Sequence, residues 1–203
     1  KLSEWHVHAK GYAKQAIAQG AQITCVWDDE EKRGRTWAAE LGVDFEPCLD
    51  ACLARTDVDA VICCTSTDTH PQVMIKAAKA GKAIFTEKVL ATSVAACDEI
   101  AAAVREAGVP FLISFPQRGA PHILYAKQII DSGLLGKITY ARVRNAHDGA
   151  SGNWLPPHFY DPIKCGGGAM MDLGAHPMYT LGYLLGKPVS ILSMFTDDTG
   201  HPV

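Results

Sequence analysis

Four clusters in this chain of 203 residues have the residue types and spacing that chemistry requires. Asp28 directly follows the apolar run QITCVW at 22–27. A carboxylate at the end of a buried strand can accept both hydroxyl hydrogens of a ribose, or can simply be a favourable charge ahead of the next helix. The second cluster, TSTDTHP at 65–71, follows AVICC at 60–64 and includes Thr65, Ser66 and His70. Hydroxyls and backbone N–H groups at a helix start suit a phosphate or a second ribose, or ordinary turn and capping work. Third, Glu87 and Lys88 follow AIFT at 83–86. A lysine there can hold a fixed positive charge against a developing alkoxide, or form a surface ion pair. Fourth, Gly166, Gly167 and Gly168 precede Asp172 and His176, whose i, i+4 spacing predicts one shared helical face. Histidine takes a hydroxyl proton readily near neutral pH, and Asp172 could orient it or bind a neighbouring hydroxyl. The glycine run lacks the Lys-Ser/Thr of a phosphate loop. Asp172 and His176 are two potential ligands without a visible third, so no metal is assigned.

The elements that must position these groups follow one rhythm through residue 118: a β-prone run, a turn, an alanine-rich helical stretch. Strands are predicted at 22–27, 60–64, 83–86 and 111–115, and helices at 32–41, 49–55, 71–80 and 94–107. Gly42, Gly81 and Gly108 stand where left-handed helix ends belong, Pro71 suits a first helical turn, and Ser93 is a candidate N-cap. Buried strands separated by helices imply right-handed crossovers and a parallel, doubly wound α/β sheet. Beyond residue 119 the pattern changes: a helix is expected at 121–132, an alternating strand at 137–145, a loop at 146–168, a helix through Leu185 and a strand at 189–195. Domains are therefore drawn at 1–118 and 119–203, the second α+β with an open, mostly antiparallel sheet cut short.

Composition narrows the function. With 19 Lys and Arg against 22 Asp and Glu, the formal charge is −3, which argues against a nucleic-acid partner. Apolar runs are too short for a bilayer, so no membrane partner is expected. Seven cysteines without paired C-x-x-C spacing read as reduced core residues of a cytoplasmic protein, with a redox or nucleophilic cysteine as the other reading.

The segments VWDDEEKRGRTWAAELGV, CTSTDTHP, TEKVLA and GGGAMMDLGAHP, in that order and spacing, resemble the NAD(P)-dependent oxidoreductases named after glucose–fructose oxidoreductase, inositol dehydrogenase and a rhizopine-catabolism protein. The resemblance implies a Rossmann-like domain followed by an α/β domain with an open sheet. It implies catalytic roles for Lys88, Asp172 and His176, and dinucleotide contacts from Asp28, Thr65, Ser66, His70, Glu87 and Lys88. It places Arg118 and Trp154, with Asp172 and His176, on segments that line a sugar pocket. The implied activity is hydride transfer between a secondary alcohol of a sugar, polyol or related ring and NAD. Acidic Asp29, Glu30 and Glu31 disfavour a 2′-phosphate, although NADP is possible. Relatives that cleave glycosidic bonds by transient oxidation, and non-catalytic NAD-binding sensors, are the alternatives. A homodimer or homotetramer is expected. Two departures are visible: Val89 replaces the proline of the Glu-Lys-Pro motif, and no G-x-G-x-x-G is present. The first strand and its glycine loop are therefore expected ahead of Lys1, and further strands after Val203; the 203 residues themselves should hold a dinucleotide poorly.

Overall fold

A computed structural model of the chain describes residues 1–149 and 151–194. It forms two compact units, Lys1–Ser114 and Phe115–Val203.

In the first unit the predicted alternation of strand and helix is observed almost throughout. Helix α1 (Ala9–Ala18) leads to β1 (Cys25–Val26), α2 (Glu31–Leu41), β2 (Asp44–Phe45), α3 (Leu49–Ala54) and β3 (Ala60–Cys63). Then come α4 (His70–Lys79), β4 (Ala83–Thr86), α5 (Val94–Ala107) and β5 (Phe111–Ile113). The helix ends are chemically specified. Gly42 and Gly108 cap α2 and α5 in the left-handed region, at φ 67° and 64°, and Ser93 Oγ accepts the Ala96 N–H at 3.2 Å.

All strand pairs are parallel: β1 with β2, β3 with β4, and β4 with β5. Leu2 alone bridges Trp27 and Cys63, both in parallel, so residues 1–3 lie between β1 and β3. Alternate side chains divide between two faces. Cys25, Val61 and Cys63 enter a core with residues of α3, α4 and α5, including Leu53, Met74 and Ile100. Val26, Ile62 and Cys64 pack with Ala9, Ala13, Trp37 and Ala38 of α1 and α2. Helices on both faces make this a doubly wound sheet, and all seven cysteines are free thiols.

Gly34 lets α2 approach the sheet: a Cβ there would stand 2.4 Å from the Phe45 ring and 2.7 Å from Asp28 Cβ. A helical glycine normally costs up to about 1 kcal/mol relative to alanine, and overpacking costs about 1–3 kcal/mol. Here the clash dominates, because Asp28 Cβ is tied to the backbone. Gly34→Ala is expected to lower stability by about 1–2 kcal/mol. Urea unfolding followed by circular dichroism checks the sign; an unchanged or raised midpoint contradicts it.

The second unit carries α6 (Pro121–Asp131), α7 (Pro162–Cys165), α8 (Ala169–Asp172) and α9 (Ala175–Leu185). Three expectations are corrected here. Residues 137–145 form no strand and neither do residues 189–194, and Phe195 lies outside the described residues. Alternation specifies a face, but a strand also needs a neighbour at about 4.8 Å, and none of the described residues of this unit supplies one. The open antiparallel sheet is thus not formed among them. The predicted helix through Leu185 is two helices, α8 and α9, separated at Leu173 and Gly174. Pro177 has no N–H to give the Leu173 carbonyl, and its ring would crowd that oxygen in a continuous helix. The carbonyl is bonded instead by the His176 N–H at 3.2 Å and by Asn145 Nδ2 at 3.3 Å. Gly174 permits the break, since a Cβ would meet the Met170 carbonyl oxygen at 2.5 Å.

Candidate active site

In the first unit the candidate residues line the carboxyl ends of the strands, around the point where the strand order reverses. Open parallel sheets bind ligands there. Asp28, 4 % exposed, follows β1. Its Oδ2 accepts the Glu4 N–H at 2.8 Å and Arg33 Nε at 3.0 Å; its Oδ1 accepts the Glu30 N–H at 2.9 Å and Arg33 NH2. Burial alone would push this carboxyl up, but Arg33 and the two amides outweigh it and hold it below the ordinary carboxylate range. Arg33 is a residue that motif reading missed. It also reaches Asp29 at 2.7 Å and Glu30 at 2.9 Å, and its position on the first turn of α2 is the signal that could have found it.

Because the folded carboxyl titrates below its usual 3.8, Asp28 stabilises the fold at neutral pH, and that contribution is lost as pH falls below this value. Arg33→Ala leaves a buried charge without its cation. It should cost about 2–3 kcal/mol at pH 7 and flatten the acid dependence of unfolding below pH ~4. Urea midpoints measured from pH 7 to pH 3 test both parts.

After β3, Thr65, Ser66 and His70 are all buried. His70 Nδ1 lies 3.1 Å from the carbonyls of both Val89 and Leu90. Two carbonyl acceptors place the proton on Nδ1 and leave Nε2 an acceptor, and Nε2 is buried without a hydrogen-bond partner. Burial pushes the imidazole down, keeping it neutral. His70 thus clamps the loop that carries Lys88, while its unpartnered nitrogen is a point where a ligand donor would fit.

After β4, Glu87 and Lys88 are 2 % and 6 % exposed. The Lys88 N–H donates to Glu87 Oε2 at 2.8 Å, and the Lys88–Val89 peptide bond is cis. Glu87 Oε1 receives the Tyr12 hydroxyl and lies 2.7 Å from His8 Nδ1 and 4.0 Å from His6 Nδ1. Burial opposes ionisation here, but the two histidines and Tyr12 prevail, and the carboxyl is pulled down to about 2. Spacing along the chain gave no hint of Tyr12, His6 and His8, because they meet Glu87 only through folding.

The loop from Ser3 to His8 joins the bridged segment at Leu2 to α1, the place where dinucleotide-binding sheets present free N–H groups. Four of its N–H groups are already engaged within the protein. Glu4 N–H goes to Asp28, Trp5 N–H to Ser3 Oγ, His6 N–H to the Cys64 carbonyl and His8 N–H to His6 Nδ1. The residues therefore fit a dinucleotide at the ribose carboxylate and beside His70, whereas this loop presents no ready cradle for a pyrophosphate.

In the second unit, His176 stands on the first turn of α9 and Asp172 is the last residue of α8. His176 Nδ1 lies 2.8 Å from Tyr179 Oη, which also accepts the Gln117 N–H at 3.1 Å. Tyr179, one turn along the helix, is the orienting partner that motif reading overlooked. Arg118 is exposed, with its guanidinium 5.0 Å from the Tyr183 ring centroid. Trp154, 56 % exposed, donates from Nε1 to Asp148 at 2.8 Å and packs on His147. Gly167, at φ 152°, leaves room for Met171, whose Cγ would be 2.8 Å from a Cβ there. Among the described residues, no helix is long and apolar enough to cross a membrane.

A doubly wound parallel sheet with a buried carboxylate after β1 and a lysine after β4 is an arrangement that dinucleotide-binding domains use. Comparison with known proteins makes the assignment specific. Residues 6–115 match the model of the oxidoreductase family with an NAD-binding Rossmann fold, and residues 123–202 match the GFO/IDH/MocA C-terminal domain. The chain belongs to the GFO/IDH/MocA family. It is 39 % identical over 184 residues to the 2,7-anhydro-N-acetylneuraminate hydratase of Mediterraneibacter gnavus, covering 90 % of this chain and 48 % of the relative. It is 34 % identical over 189 residues to the scyllo-inositol 2-dehydrogenase (NAD(+)) of Bacillus subtilis, covering 93 % and 53 %. The solved structure of GenD2 from gentamicin A biosynthesis, in complex with NAD, superposes with a TM-score of 0.72 at 28 % identity, covering 82 % of this chain and 47 % of that one. The chain thus spans about half the length of the curated relatives it matches.

Proposed function

We propose that the protein carrying these residues oxidises a secondary alcohol of a sugar, polyol or related ring by hydride transfer to NAD. The observation that carries this reading is the pair of family matches, in order, over residues 6–115 and 123–202, with Lys88 buried at the end of β4. NAD, when bound, supplies the hydride acceptor. Asp28 accepts hydrogen bonds from the adenosine ribose as Arg33 yields its place. Thr65, Ser66 and Glu87 contact the dinucleotide, and His70 holds the Lys88 loop through the Val89 and Leu90 carbonyls while offering Nε2. Lys88 stabilises the alkoxide-like oxygen. His176 takes the hydroxyl proton on Nε2, with Nδ1–H donated to Tyr179. Asp172 binds a neighbouring hydroxyl, and Arg118 and Trp154 hold the ring.

Asp29, Glu30 and Glu31 around Asp28 favour NAD over NADP, since a 2′-phosphate would meet their charge. Free thiols suit a reducing, cytoplasmic setting. The exposed side chains of Tyr140, Ile191 and Leu192 support assembly into a homodimer or homotetramer.

A second reading has its own support in the hydratase relative at 39 % identity: transient oxidation of an anhydro-sugar, with the reducing equivalents returned before product leaves. A panel of inositols, hexoses and anhydro-sugars separates the two. Reduced nicotinamide accumulating in proportion to product supports net dehydrogenation. Product without such accumulation supports the second reading, and turnover of no member in either mode overturns both. A marked preference for NADP overturns the cofactor assignment.

A further inference from the structure

Glu87, buried after β4, lies beside two histidines of the loop ahead of α1. One ligand atom from each of His6, His8 and Glu87 lies within 4.8 Å of the other two. Their chemistry is that of a transition-metal site: two imidazoles and one carboxylate converging from a loop and a strand end. We propose that His6, His8 and Glu87 bind one divalent first-row transition ion of the zinc type. The site lies in the loop that a bound dinucleotide would face, and it shares Glu87 and the Lys88 N–H with the dehydrogenase reading, but its ligands and its test do not require that reading.

Four features carry the inference. The first is distance. Metal–nitrogen and metal–oxygen bonds of about 2.0–2.2 Å put the ligand atoms of a tetrahedral site about 3.3–3.6 Å apart, so His8 and Glu87 must open from 2.7 Å and His6 must close on Glu87 from 4.0 Å, shifts of about 0.5–1 Å that rotation of the side chains can supply. His6 Nδ1 now accepts the His8 amide at 3.2 Å, a long hydrogen bond that coordination can replace. Charge is the second. Glu87 is a buried carboxylate held by hydrogen-bond donors, and a divalent ion would offset its negative charge directly.

Support for the ligands is the third feature. The Tyr12 hydroxyl and the Lys88 N–H, at 2.8 Å, both bond the Glu87 carboxylate and fix its orientation, as the outer shell of a metal site does. The fourth is access, since His6 is buried whereas the His8 side chain is 54 % exposed and opens the site to solvent. The donor set also selects. Magnesium and calcium require mostly oxygen ligands and would find a single carboxylate, whereas zinc, nickel and ferrous iron favour imidazole.

The test uses chelator-stripped, reduced protein without nucleotide, so its outcome is separate from that of the dehydrogenase reading. Zinc chloride is titrated calorimetrically, and cobalt chloride is followed by its visible absorption. The expected result is one zinc per chain, no response to magnesium chloride, and an affinity lowered about 100-fold or more in His8→Ala and in His6→Ala. His8→Ala alone suffices if His6→Ala fails to fold, because the His8 side chain is exposed. The cobalt spectrum should show ligand-field bands without thiolate charge transfer. Zinc affinity unchanged by His8→Ala, or a cobalt spectrum dominated by thiolate charge transfer, overturns the proposal.

Discussion

Replacing His176 with alanine is expected to lower kcat/KM for the proposed ring-alcohol oxidation by about 100- to 10,000-fold, the usual range for loss of a general base. The effect falls on kcat, because the proton leaves the hydroxyl only as the C–H bond breaks, and binding of the ring is shared with other groups. Geometry sets a second expectation. Nδ1 of His176 lies 2.8 Å from Tyr179 Oη, and a donated Nδ1–H makes Nε2 the nitrogen that carries the basic lone pair. Tyr179→Phe removes that anchor without removing the base. It should lower kcat by about 10-fold and leave KM for NAD unchanged, which marks Tyr179 as a positioning residue. Steady-state kinetics on the natural reading frame containing these 203 residues tests both. A kcat/KM within a few-fold of wild type in His176→Ala rules out its assigned role.

Lys88→Met is expected to lower kcat by about 100- to 1,000-fold, the cost of removing one preorganised group from a developing oxyanion. Methionine keeps the length and apolar body of a side chain that is only 6 % exposed, so the fold should survive. Lys88 follows β4 and leads directly into Val89 and Leu90, whose carbonyls His70 holds. Loosening that clamp with His70→Ala should therefore reduce kcat as well, though less than Lys88→Met. Wild-type turnover in Lys88→Met would remove the lysine from the mechanism.

Much of the first unit was legible because each element announces its own limits. β4 is observed at Ala83–Thr86 as read, and the cap from Ser93 and the turns at Gly42 and Gly108 depend only on local chemistry. Asp28, Thr65, His70, Glu87 and Lys88 could be placed at strand ends by the same local reading. The groups that surround them could not. Arg33 on Asp28, Tyr12 and His8 on Glu87, and Tyr179 on His176 are contacts made by folding. The second unit was read less well for two physical reasons. The alternation of residues 137–145 specifies a face without specifying a neighbour. The break before His176 follows from Pro177 and Gly174, which a purely periodic reading passes over.

The proposed hydride abstraction from a carbinol carbon is decided by supplying the protein with NAD and a ring alcohol deuterated at that carbon, and recording the mass of the recovered nicotinamide. Deuterium in the reduced cofactor, slower single-turnover reduction with the labelled alcohol, and loss of this transfer in Lys88→Met and His176→Ala are expected. Turnover that places no deuterium on the nicotinamide at any time, or transfer undiminished in both variants, would contradict it.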